Sequence, residues 1–286
     1  MLDSPLSNVQ AYVAHFSAKE LPVLRRSVIE LAALREQGAH ADVRSISALV
    51  LADPLLTMRL LTHVENNRGA SRSQDITTVE RAVMMVGVEP FLEIFSELQT
   101  LEDVLHDHPR ALVGALRLIT RARRAAEIAG EFAVLRRDIN AQEIRVAALL
   151  YEAAEIVCWV YAPTLTANVY ELQKADRSLR TVIAQRRVFL VSAAEIQQSL
   201  VRVWGLPQLL VRLLDETHHL DPRVRTVELA VRIARHSSRG WDDAGLPDDF
   251  ADAQNLLRVG RELLLNRLQV PERFRPALRD PRRPPP

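Results

Sequence analysis

The sequence has one cysteine, nine glycines and two lysines in 286 residues, and each shortage excludes something. Cys158 has no second thiol to pair with, so no intramolecular disulfide can form. Its place in Ile156-Val157-Cys158-Trp159-Val160 predicts a small hydrophobe packed in a core, not a nucleophile. The glycines are not clustered, so there is no phosphate-cradling loop of the P-loop or dinucleotide type, which speaks against ATP and NAD as cofactors. No serine lies in a glycine-flanked elbow either. No segment reaches the ~18 uninterrupted apolar residues that span a bilayer, and Met1 to Gln10 lacks a basic stretch followed by an apolar run. A cytoplasmic location is expected. Lys+Arg 37 against Asp+Glu 36 leaves a formal net charge of +1, so no global field calls for a nucleic acid or an anionic membrane. Lys19 and Lys174 are the only lysines, so basic surface here is arginine.

What the sequence does have is helical periodicity. From Leu21 to about Leu268 apolar residues recur every three or four positions, with no convincing period-two run, so the fold class is all-α. Pro22 to Gln37 places Leu24, Val28 and Leu31 on one face, with Gly38 as the expected C-terminal cap. Asp42 can cap a helix bearing Val43, Ile46 and Leu49, and Asp53-Pro54 reads as an N-cap followed by proline at the first helical position. That helix is expected to stop near Asn66-Asn67, before a loop over Arg68 to Asp75. Thr77-Thr78-Val79-Glu80 fits a capping box. Pro90 opens a longer helix with the stripe Phe91, Ile94, Phe95, Leu98, Leu101 and Leu105, the fifth of a first half. Further helices are expected at about 109–134, 140–160, 163–175, 178–189, 192–204, 207–219, 222–238 and 248–268. From about 271 to 286 the proline- and arginine-rich end is expected to be a disordered tail.

The segment Ala147-Ala148-Leu149-Leu150-Tyr151-Glu152-Ala153-Ala154-Glu155-Ile156-Val157 resembles the signature helix of HDOD domains, a regulatory branch of the HD phosphohydrolase superfamily. Leu21-Pro22, Asp53-Pro54 with Leu60-Leu61 and Asn66, Ile76-Thr77-Thr78-Val79 through Ala82 to Gly87, Trp204-Gly205-Leu206-Pro207 and His218-His219 follow in that family's order. The resemblance implies an HDOD-like domain over residues 16–220, with a five-helix N-terminal half (about 16–107) packed on an HD-like half (108–220). Residues 1–15 would precede it, helices at 221–270 would follow, and 271–286 would form the tail.

The resemblance also locates a degenerate pocket. Where catalytic relatives carry a metal-binding His-Asp pair, this chain has Tyr151-Glu152, and tyrosine is a poor substitute ligand. Where many family members have a histidine before Ala-Glu, it has Ala193. Only His218-His219 remains, whereas a catalytic metal site needs about three protein ligands. Asp215 lies three and four residues from these histidines, a spacing that suits an ion, but histidine at a helix C-terminus is also favoured by the helix dipole. The implied function is therefore a non-enzymatic bacterial signal-transduction protein that binds a protein partner or small effector, with no cofactor and no catalytic residue. Two rival readings are a metal-dependent phosphohydrolase of a nucleotide or cyclic dinucleotide, and a nucleic-acid-associated regulator. For the latter the net charge gives little support.

Arg110, Arg117, Arg121 and Arg124 fall within about 60° of one another on a helix. They read either as a solvated face or as an anion-binding surface for an acidic protein segment or a phosphate-bearing ligand. Leu112, Leu116, Ile119, Ala122 and Ala126 are expected on the opposite, packed side. Trp204 is expected to anchor a core.

Overall fold

The computed structural model describes residues 1–36, 38, 41–67, 76–176 and 178–278. Among them there is no strand, and the only extended pairing is an isolated bridge between Val23 and Thr100. The helices run α1 (Val9–Ser17), α2 (Arg25–Glu36), α3 (Val43–Leu51), α4 (Pro54–Asn67), α5 (Val79–Val86), α6 (Val88–Ile94), α7 (Leu101–Val104), α8 (Pro109–Leu135), α9 (Ala141–Leu150), α10 (Ala153–Tyr161), α11 (Pro163–Ala175), α12 (Thr181–Phe189), α13 (Ala193–Val203), α14 (Gln208–Leu213), α15 (Pro222–His236), α16 (Leu246–Leu257), α17 (Arg261–Arg267) and α18 (Arg275–Leu278). The chain forms two compact units, neither of them continuous in sequence. The first comprises Met1–Thr120 and Glu152–Val211, the second Arg121–Tyr151 and Arg212–Pro286. No single helix among the described residues is long and apolar enough to cross a membrane.

In the first unit, Asp53 is fully buried and does more than cap α4. Its Oδ1 accepts from the amides of Leu55 (3.0 Å) and Leu56 (3.3 Å), and its Oδ2 accepts from the Leu24 amide and the Ser27 hydroxyl, both at 2.8 Å. One carboxylate thereby holds the starts of α2 and α4 together. Burial pushes this carboxyl up from its ordinary value, and the four donors pull it back. Gly114 on α8 lets the helix pass close to the Trp159 indole of α10; a Cβ there would lie 2.6 Å from the ring. Trp204 is buried, as a core anchor should be.

At the N-terminus Asn8 caps α1, whose Tyr12, Val13 and Phe16 are buried. Two local expectations need correction. The long helix from Pro90 to Leu105 is broken after Ile94, because Val23 draws the chain out of helical form by donating to Gln99 O (3.0 Å) and accepting from Leu101 N (2.7 Å). At α5 the cap is Thr78, which binds the Arg81 amide, so Glu80 is one position short of closing a capping box. The reciprocal box forms instead at Ser192 and Glu195. The predicted loop from Arg68 to Asp75 lies outside the described residues.

In the second unit α15 packs on α9 and α16. Asp249, almost fully buried, accepts from Arg232 Nε (3.0 Å) and from His236 Nδ1 (2.5 Å), which ties α15 to α16. The chain end is more ordered than its composition predicts. Glu272–Phe274 form a 3₁₀ turn, α18 follows, Leu278 is buried, and Arg261 donates to its carbonyl. Enough apolar surface survives at Leu278 to hold these residues; the rest of the predicted tail, 279–286, lies outside the described residues.

Candidate functional site

Tyr151 and Glu152, adjacent in sequence, sit at a break between α9 and α10 and belong to different units. In the second unit Tyr151 caps α9, and its hydroxyl donates to Glu216 Oε1. Burial pushes the phenol well above its ordinary range, and the Glu216 and Glu228 carboxylates push it further. Tyr151 is thus a firmly protonated donor whose proton already has an acceptor. Burial and the Glu216 charge also raise Glu228, while His219 opposes them. His218 is exposed, with Nδ1 3.6 Å from Asp215 Oδ2. Asp215 itself caps the turn Glu216–His218, taking the Thr217 amide (3.0 Å) and hydroxyl (2.7 Å). This is the work of a turn-forming aspartate. His219 is exposed and donates its amide to Glu216 O at 3.2 Å.

In the first unit Glu152 is buried at the start of α10, its carbonyl receiving the Glu155 (3.0 Å) and Ile156 (3.2 Å) amides. Ala193 is buried at the first position of α13, and its amide donates to Gln185 Oε1 at 3.0 Å. The other end of Gln185 donates to Glu155 Oε1 at 3.1 Å, while Gln197 Oε1 accepts the Ala154 amide at 2.6 Å. Two buried glutamines therefore link α10 to α12 and α13. Sequence reading missed both. A signal was present for Gln197, which interrupts the apolar series Ala193, Ile196, Leu200, Val201 at a position facing inward.

Among the described residues no three His, Cys, Asp or Glu side chains converge to hold a metal ion. Tyr151 is a protonated phenol and Ala193 carries only a methyl, and neither is the kind of anionic or imidazole ligand that holds a divalent ion. Cys158 is buried, and burial pushes its thiol up, away from nucleophilic thiolate character.

The four arginines of α8 fare unequally. Arg110 and Arg117 are exposed. Arg124 donates to Leu268 O (2.7 Å) and pairs with Glu127 (3.0 Å), and Arg121 is half-buried. On the side opposite, Ile119, Ala122 and Ala126 are buried as expected, whereas Leu112 and Leu116 are only half-buried. Over the second half the buried arc extends to the arginine side, where Ile128 and Phe132 are fully buried.

A family model described as HDOD domain matches residues 21–220. The MmoQ response regulator of Methylococcus capsulatus is similar in structure, with a TM-score of 0.63 and 21% identity over 87% of this chain and 98% of that one. A virulence factor of Campylobacter jejuni gives a TM-score of 0.68 and 15% identity over 94% and 98% of the two chains. No curated protein matches the chain.

Proposed function

The chain belongs to the HDOD domain family, and from that premise we propose that it is a non-enzymatic signal-transduction protein of the bacterial cytoplasm, acting by binding a protein partner or a small effector. The observation that carries this reading is the fate of the superfamily's ligand positions. The Tyr151 hydroxyl donates a hydrogen bond to Glu216 and the Ala193 amide donates one to Gln185, so these positions serve internal hydrogen bonds. A metal that activates water needs an open coordination site and deprotonated or imidazole donors, and neither a protonated phenol nor a methyl group supplies them. The similarity to a response regulator agrees with a signalling role.

The test is elemental analysis of purified protein together with hydrolysis assays on bis-(p-nitrophenyl) phosphate and cyclic dinucleotides, with and without added manganese or iron. The expected result is metal far below one ion per chain and no turnover above the buffer rate. Near-stoichiometric iron or manganese with phosphodiester hydrolysis would overturn the reading.

A further inference from the structure

His236, the last residue of α15, differs from the other described histidines in how its ring is held. Nδ1 lies 2.5 Å from Oδ2 of Asp249, whose side chain is only 1% exposed. The other oxygen of that carboxylate accepts from Arg232 Nε (3.0 Å) and Nη2 (2.5 Å). The guanidinium thus supplies the countercharge, and the imidazole needs only to donate its Nδ1–H. Gly245, just before α16, lets the chain lie against the ring: a Cβ there would be 2.7 Å from Cε1. His106 also meets a carboxylate, that of Asp107 at 2.9 Å, but those two side chains are 77% and 83% exposed, so nothing holds their geometry. His218 stands 3.6 Å from Asp215.

A ring that donates from Nδ1 keeps its lone pair on Nε2. In His236 that atom has no hydrogen-bond partner among the described residues, and it is not closed off from solvent as the unpartnered Nε2 of His15 is. An oriented lone pair backed by a carboxylate is a nucleophile whose developing positive charge already has a counterion. The surroundings suit an anionic electrophile. Arg232 shares its carboxylate with His236, and its Nη1 has no partner among the described residues. The other carboxylates nearby, Asp252 at 2.9 Å from Arg232 and Glu228 one turn earlier on α15, are met by that same arginine, and neither bonds the ring. The hydroxyls of Ser237 and Ser238 are turned back onto the carbonyls of Ile233 and Arg235, which leaves the imidazole as the reactive group of this helix end.

We propose that His236 is a phosphoryl-acceptor site, modified at Nε2 by a donor carrying a phosphorus–nitrogen bond, with Asp249 as its positioning residue. The Nε2 lone pair attacks phosphorus, the donor's P–N bond breaks, and the amine leaves with that electron pair. The Nδ1 proton stays in place. The positive charge that forms on the ring faces Asp249, and the phosphoryl oxygens lie beside Arg232, whose planar fork matches them. This modification goes beyond the regulatory reading, and neither metal content nor hydrolysis bears on it.

The experiment incubates the full chain with potassium phosphoramidate at neutral pH and follows the phosphoryl group by phosphorus NMR and peptide mass spectrometry. His236 is expected to label on Nε2, about tenfold or more faster than the exposed His106 and His219 of the same molecules. Asp249→Asn removes the charged acceptor and slows His236 about ten- to a hundredfold while His106 keeps its rate, with circular dichroism reporting that the variant is folded. The comparison among histidines needs no variant, so it decides the matter even where Asp249→Asn fails to fold. Labelling of His236 no faster than His106, or on Nδ1, overturns the proposal, as does a folded Asp249→Asn protein that labels at the original rate.

Discussion

Replacing Asp53 tests whether one carboxylate holds two helix starts together. Asp53→Ala leaves three amides, those of Leu24, Leu55 and Leu56, and the Ser27 hydroxyl without their acceptor at a fully buried site. Each orphaned buried donor costs about 1–3 kcal/mol, so the gross loss is at least about 4 kcal/mol. Removing a desolvated carboxylate offsets part of it, because burial outweighs the donors in setting this group's proton affinity. A net loss of about 3–5 kcal/mol is expected, a large share of the 5–15 kcal/mol typical of a folded domain. Asp53→Asn separates the contributions. With its amide turned toward Ser27, whose hydroxyl can accept, the asparagine oxygen still serves Leu55 and Leu56, and only the Leu24 amide is orphaned. Its expected cost is about 2 kcal/mol. Urea unfolding followed by circular dichroism measures both, with the slope m unchanged, and hydrogen exchange should quicken at Leu24 in both variants but at Leu55 and Leu56 only in Asp53→Ala. Equal losses for the two variants, or full protection at Leu24, would refute the two-helix account.

Two further predictions follow from packing and from burial of phenols. Gly114→Ala gains about 0.5–1 kcal/mol of helix propensity but drives a methyl into the Trp159 ring; overpacking costs about 1–3 kcal/mol, so a net loss with altered tryptophan emission is expected, and a stabilised variant would contradict the close helix approach. Burial holds the phenols of Tyr12, Tyr151 and Tyr161 above the ordinary value, Tyr161 at about 12. Their neutral forms are favoured by the fold, so this stability is complete below the unfolded value of about 10 and is lost as pH rises through the folded values. Absorbance at 295 nm should show these three ionising only beyond pH 10, together with falling unfolding free energy; normal ionisation of all tyrosines in the folded protein would exclude the burial described.

Helix positions were legible because start and stop signals are local: Asp42, Pro54, Pro163 and Pro222 each open a helix where the sequence places one. The breaks were not. Pro90 to Leu105 carries an unbroken apolar stripe, and what interrupts it is a backbone pairing with Val23, far away in sequence. The division into units was hidden for the same reason, since contacts between 121–151 and 212–286 leave no trace in local pattern. At the candidate site, Tyr151 and Ala193 could be singled out from the chain, but the groups that bond the Tyr151 hydroxyl and the Ala193 amide, Glu216 and Gln185, lie 65 and 8 residues away.

The Gln185 contact is to the Ala193 backbone amide, which any residue there except proline would offer. An amide side chain donates and accepts at once, so Gln185 can take the Ala193 amide on one side and satisfy Glu155 on the other. A carboxylate at the same position could accept the amide but would oppose the Glu155 charge across a contact of 3.1 Å, and a partly satisfied buried network is worse than none. Gln197 performs the equivalent service for Ala154, at the turn of the chain following Glu152. The neutral amides of Gln185 and Gln197 link α10, α12 and α13 without adding a further charge beside Glu155. On the proposed reading, these amide bonds hold the helices together and recognition falls to side chains outside the network.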